Sequence, residues 1–171
     1  WAEWRQEGRI AAFPYGAAGI EIEIDLETGN LKICNYWIVD DCGQIINPKI
    51  VKGQAHGGIV HGIGQAIGEV AFYENSNGQL LTGSFMDYMV PRAGQFPLFN
   101  LDSIDVKTLT NPLSIKAGGE SGTVAALALV GNAVMNALGY FEVPELEMPF
   151  TAPKIWHAIQ SSAKASPSQN N

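Results

Sequence analysis

Apolar and polar side chains alternate strictly along residues 19–26, which read Gly-Ile-Glu-Ile-Glu-Ile-Asp-Leu. A period of two predicts a half-buried strand with a wet acidic face. Glu27-Thr-Gly-Asn30 supplies turn residues, and the alternation resumes from Leu31 to Val39, so the two runs predict a β-hairpin. Asp40-Asp-Cys-Gly43 and Asn47-Pro48 punctuate the chain next. Between 49 and 71 the period changes: Ile59, Val60, Ile63, Ala66, Ile67 and Val70 recur at helical spacing. Glycines stand at 53, 57, 58, 62, 64 and 68 in the same stretch. Each costs about 1 kcal/mol relative to Ala inside a helix, so this density predicts a backbone or a ligand in very close approach.

Further on the pattern is weaker. Val70–Tyr73 and Gln79–Leu81 flank Glu74-Asn-Ser-Asn-Gly78 and predict a second hairpin. Residues 83–101 read as irregular, and Ser103–Leu109 as a strand ended by Asn111-Pro112. Ala117-Gly-Gly-Glu-Ser-Gly122 is a tight glycine loop leading into an Ala-rich helix over Val124–Leu138, with Gly139 as its C-cap. Thr151–Ile159 predicts a short helix capped by Thr151, with Pro153 in its first turn. The expected architecture is α+β: a mixed, largely antiparallel sheet with packed helices, formed by residues 1–160. Residues 161–171 read as a polar, disordered tail.

Composition narrows the chemistry. The chain has 171 residues, 46% hydrophobic and 16% charged, a core-forming balance. Ten basic against seventeen acidic residues give a net charge of -7, with no basic cluster to neutralise phosphates, which argues against nucleic-acid binding. Cys34 and Cys42 cannot build a disulfide framework or supply four thiolates to an iron–sulfur cluster. The opening residues lack the pattern of a secretory leader, and no apolar run reads as a membrane span. A reduced, cytoplasmic protein without membrane contact is the expectation.

Two constellations could carry chemistry. In Lys116-Ala-Gly-Gly-Glu-Ser-Gly122 the glycines let the backbone come close to a ligand, and the following helix aims free N–H groups at the loop. The alternative is a capped helix whose electrostatics Glu120 completes. In Gly53-Gln-Ala-His-Gly-Gly-Ile-Val-His-Gly-Ile-Gly-Gln65, Gln54 and His56 offer hydrogen bonds to a polar ligand. The alternative is a glycine-lined helix crossing with satisfied histidines; His56 and His61 are badly spaced for one helical face and give no metal site. Gly62-x-Gly64-x-x-x-Gly68 has one residue too many for a dinucleotide fingerprint, and the 117–122 loop has no Gly-Lys-Ser/Thr. Asp40 and Asp41 read as a turn and a helix cap.

Taken in order, Gly53-Gln-Ala-His-Gly-Gly58, Gly83-Ser-Phe-Met-Asp-Tyr-Met-Val-Pro-Arg92, Thr110-Asn-Pro-Leu113 and Lys116-Ala-Gly-Gly-Glu120 resemble the C-terminal portion of the molybdopterin-binding subunit of the xanthine dehydrogenase/aldehyde oxidase family. The branch with the aerobic carbon monoxide dehydrogenase large chains looks most similar. The resemblance covers about residues 11–160.

The resemblance implies a molybdenum–pyranopterin cofactor, in bacteria often a cytosine dinucleotide, and hydroxylation of an aldehyde or N-heterocycle carbon with oxygen from water. It implies that Glu120 is the general base and that Gln54 contacts the pterin. The backbone of Lys116, Ala117, Gly118, Gly119 and Ser121 would wrap the cofactor. Gly118 departs from the Val or Thr more usual there, which loosens the loop. Iron–sulfur clusters and FAD are expected on partner domains or subunits, together with the remainder of the molybdenum subunit and a small-molecule substrate; alone the chain is expected to be inactive. Neither cysteine matches the copper loop that carbon monoxide oxidation requires. A non-catalytic assembly module and a glycine-loop nucleotide binder are the competing readings.

Overall fold

The computed structural model describes residues 1, 3 and 11–162. Most of the polar tail expected at 161–171 therefore lies outside the described residues. β1 (Tyr15–Ile24) and β2 (Leu31–Asp41) form the expected hairpin, antiparallel from Tyr15↔Asp41 to Ile24↔Leu31 with an irregularity between Glu21 and Ile22. Its turn is made by Asp25, whose carboxylate accepts from the Glu27 N–H and the Thr28 hydroxyl, both at 2.8 Å.

β3 (Asn100–Ile104) runs parallel to β2, from Trp37↔Asn100 to Asp41↔Ile104, giving a mixed sheet in the order β1-β2-β3. The strand expected at Ser103–Leu109 thus begins and ends earlier. Its apolar residues beyond Ile104 leave the ladder because the Val106 N–H donates to the Asp41 carboxylate at 3.2 Å instead. The second predicted hairpin shrinks to one bridge, Tyr73↔Leu80.

α1 (Pro48–Ile67) starts where Asn47 accepts from the N–H groups of Lys49 and Ile50, with Pro48 in the first position, where no donor is lost. α2 (Ser121–Leu138) is longer than expected at its start. Gly139 does not cap it in the left-handed conformation; its φ is -57°, and a 3-10 turn carries the chain on to Phe141 before Glu142 adopts φ 56°. α3 (Ala152–Gln160) has Pro153 in its first turn, but the Thr151 hydroxyl makes no capping bond.

The glycines of α1 do admit another backbone. A Cβ on Gly62 would stand 2.9 Å from the Thr123 carbonyl oxygen and 2.8 Å from the Ala126 Cβ; one on Gly58 would stand 3.0 Å from the Thr123 nitrogen. α2 returns the approach through Gly122, whose Cβ would lie 2.6 Å from the Ala55 carbonyl oxygen. Below this crossing, Ile59, Ile63, Val130, Val134 and Leu138 pack on Ile33, Tyr36 and Ile38 of the sheet, with Phe150, Ile155 and Ile159 closing the core.

One expectation needs correcting. Ser121–Phe141 is a helical stretch long and apolar enough to cross a membrane by length and composition. Its many Ala and Gly residues hide that length from a reading that looks for bulky runs. Within this fold, its row Gly122, Ala126, Val130, Val134 and Leu138 is buried in the core.

Two substitutions test the packing. Gly122→Ala must separate the helices and should destabilise by about 1–3 kcal/mol. The Tyr36 hydroxyl is buried without a hydrogen-bond partner among the described residues, and burial pushes its pKa up to about 12. Tyr36→Phe removes that unpaired group and should stabilise by about 1 kcal/mol. Urea unfolding midpoints check both signs.

Candidate functional site

The sequence-predicted residues come together where the end of β2, the first half of α1 and the start of α2 meet. The approach to the loop is tied down residue by residue. Asn111 clasps Ile115, donating to its carbonyl at 2.8 Å and accepting its N–H at 3.1 Å. Ile115 bridges Gly43, the Lys116 N–H donates to the Cys42 carbonyl at 2.9 Å, and the Gln44 N–H donates to the Ser114 carbonyl at 2.9 Å. Gly43 takes φ +63° there, a conformation that disfavours other residues, and any Cβ would strike the Ser114 carbonyl.

Beyond Lys116 the chain runs free of side-chain anchors. A Cβ on Gly118 would stand 3.0 Å from the Cys42 Sγ, and one on Gly119 would stand 3.6 Å from the Gln54 Nε2. The bend is closed by the Ser121 hydroxyl, which donates to the Gly118 carbonyl at 3.4 Å. Glu120 occupies the N-cap position of α2; its carbonyl accepts the Thr123 and Val124 N–H groups at 3.0 and 3.2 Å. Its side chain makes no capping bond, yet its place at the helix start still puts a carboxylate next to the positive end of the helix dipole. In this chain Ala117, Gly119, Glu120 and Gln54 are exposed, while Gly118 and Ser121 are half-buried.

A cavity of about 520 Å³ opens beside Glu120 between β1 and α2; Tyr15, Ile38 and Val124 wall it, and Asp40 and Ser121 add polar groups. Burial pushes the Asp40 carboxyl up, and the Ser121 hydroxyl partly offsets this. His56 gives its ring nitrogen to the Lys52 carbonyl at 2.7 Å, the satisfied arrangement weighed above. Among the described residues no group of three or more His, Cys, Asp or Glu is placed to hold a metal.

The sequence reading missed the electrostatic centre of the site. Lys116 does not turn its ammonium toward Glu120. It forms a buried ion pair with Asp41, whose side chain is fully inaccessible. Asp41 also accepts from the Gly43 N–H at 2.8 Å. The turn read at Asp40-Asp41 is therefore present, but Asn47 is the helix cap. Burial alone would raise the Asp41 pKa. The Lys116 ammonium, the Gly43 and Val106 N–H groups and the Tyr15 hydroxyl outweigh it and hold the carboxyl at about 2. No periodicity links positions 41 and 116, so only their charges could have hinted at the pair.

Residues 1–97 match the family model described as the molybdopterin cofactor-binding domain, and the chain belongs to that family, within the xanthine dehydrogenase/aldehyde oxidase group of oxidoreductases. It is 40% identical over 148 residues to the nicotine 6-hydroxylase large subunit of Paenarthrobacter nicotinovorans, covering 86% of this chain and 18% of that protein. It is 33% identical to the carbon monoxide dehydrogenase large chain of Afipia carboxidovorans, over 84% of this chain and 18% of that one. The crystal structure of quinoline 2-oxidoreductase from Pseudomonas putida 86 superposes with a TM-score of 0.82 at 36% identity, covering 86% of this chain and 19% of the other. The chain thus spans under a fifth of the length of these relatives, and the glycine loop lies outside the stretch matched by the family model.

The ion pair makes a pH prediction. The folded pKa of Asp41 lies below the unfolded value of about 3.9, so its contribution to stability is complete above that value and disappears as pH falls through about 2. Asp41→Asn should lower the melting temperature clearly at pH 7, and the gap to the parent chain should narrow steadily from pH 4 to pH 2. Melting curves across that range check it; a constant gap contradicts the assignment.

Proposed function

We infer that the chain forms part of the cofactor-holding wall of a molybdenum hydroxylase catalytic subunit, with Glu120 as general base. The single observation that carries this is the loop geometry: Glu120 is held at a helix start, free of any capping bond, beside the exposed Gln54 amide. The residues present suit a pyranopterin. Nothing within the fold lies within 4 Å of a Cβ built on Gly53, next to Gln54, or on Gly57, one helical turn further on, so both leave room for a flat group.

In this reading the Gln54 amide hydrogen-bonds the pterin, and the peptide groups of Lys116, Ala117, Gly118, Gly119 and Ser121 follow its edge. When bound, the cofactor supplies two-electron redox chemistry and oxygen transfer. Overall, a carbon–hydrogen bond of an aldehyde or N-heterocycle is replaced by carbon–hydroxyl; the oxygen comes from water, and two protons and two electrons leave. Glu120 takes one of those protons from the attacking oxygen, a role that requires hydrogen-bond reach of that proton. The names of the relatives include both a hydroxylase of nicotine and a carbon monoxide dehydrogenase. The cavity beside Glu120 has mainly apolar walls, which suits the apolar part of either kind of substrate. The electrons pass to iron–sulfur and FAD subunits, the cofactor is a cytosine dinucleotide form, and the assembly is cytoplasmic.

Glu120→Gln in the assembled enzyme should reduce turnover at least a hundredfold, the scale of a lost general base, while molybdenum and pterin content stay at the parent level. Appreciable turnover in a metal-replete Gln variant would falsify the assignment.

A further inference from the structure

We propose that the buried Asp41–Lys116 ion pair, with Tyr15, is a positioning device that sets where the Glu120 loop leaves the sheet. The proposal rests on the reading of Glu120 as the base.

The loop from Ala117 to Glu120 needs fixed ends, because its two central glycines give it none. Its C-terminal end is fixed by packing, where Gly122 meets the α1 backbone. Lys116 is the last anchored side chain at the other end. It is only 8% exposed, and Asp41 is 0% exposed. The same carboxylate accepts the Gly43 and Val106 N–H groups at 2.8 and 3.2 Å, and the Tyr15 ring packs under its lysine partner. One buried ion pair therefore ties together the end of β2, the exit of β3, the start of β1 and the entry to the loop. The Lys116 ammonium lies 4.6 Å from the centroid of the Tyr15 ring, and that ring walls the cavity beside Glu120. The cluster thus holds both the base and the wall opposite it.

Removing either charge leaves the other buried and unpaired: without Asp41 the lysine swings out to water and draws the loop entry with it, and without Lys116 the loop loses its last anchored side chain. A displacement near 1 Å at a reacting group can cost on the order of a hundredfold in rate.

The test uses the assembled enzyme with Asp41→Asn, Lys116→Met and, as the variant that spares both charges, Tyr15→Phe. For the charge variants we expect kcat to fall at least about tenfold, with KM little changed and molybdenum and pterin content retained. Tyr15→Phe should give a smaller loss of the same kind. Amide hydrogen exchange on the cofactor-free enzyme should quicken at 116–121 in all three and stay unchanged along Ile33–Ile38. Unchanged kcat and unchanged exchange at 116–121 in Tyr15→Phe overturn the proposal, whether or not the charge variants fold. So does exchange that quickens equally along β2, because the cluster then only supports the fold. Glu120→Gln separates the two claims. If it keeps turnover, the base assignment fails; if it is inactive while Asp41→Asn keeps the parent kcat, positioning alone fails.

Discussion

Everything in this fold is hung from the near contact of two helix backbones. α1 and α2 approach so closely at Gly58, Gly62 and Gly122 that a single methyl group on either side would touch main-chain atoms of the other. Glycine weakens a helix, and here that weakness is offset by an approach no other residue permits. The contact determines the depth at which α2 begins, and so the height at which Glu120 stands above Gln54. A glycine-dense helix that seems poorly built by itself is well built as one half of a crossing.

The second constraint is electrostatic and works at the other end of the same loop. Buried ion pairs add little to stability compared with well-packed apolar side chains, so the Asp41–Lys116 pair is poorly explained as a strut. Its carboxylate is committed to several donors on separate segments. That arrangement specifies geometry: the donors converge on one point, and the chain passing through Lys116 has one place to go. Packing from α1 and charge from β2 together leave the four residues between them little freedom despite their composition.

The hairpin and α1 were legible because their hydrophobic periods are long and their turn and cap residues conventional; Asp25 and Asn47 do what their types predict. The tight turn into α2 was legible from its glycines, but the roles given to the loop and Glu120 came from resemblance alone, since spacing by itself favoured a plain helix start. The register of β3 was not legible, because Val106 and its neighbours have strand-like side chains, yet the Val106 N–H is taken by a carboxylate 65 residues away in sequence. The Gly139 cap failed for a similar reason: the glycine suits a left-handed end, but the chain continued into a tighter turn and placed that conformation at Glu142. Local chemistry states what a residue can do; distant partners decide which option it takes.

Among the described residues β1 is an outer strand, with one side of its peptide ladder unclaimed by the sheet. Such an edge invites pairing with another copy, and folded proteins blunt it with charge. Glu21 and Glu23 alternate with Ile20, Ile22 and Ile24 along this strand, and Asp25 follows at its end. The acidic row that first marked the strand as half-wet also lines this edge with charge, the device by which folded proteins discourage edge-to-edge pairing.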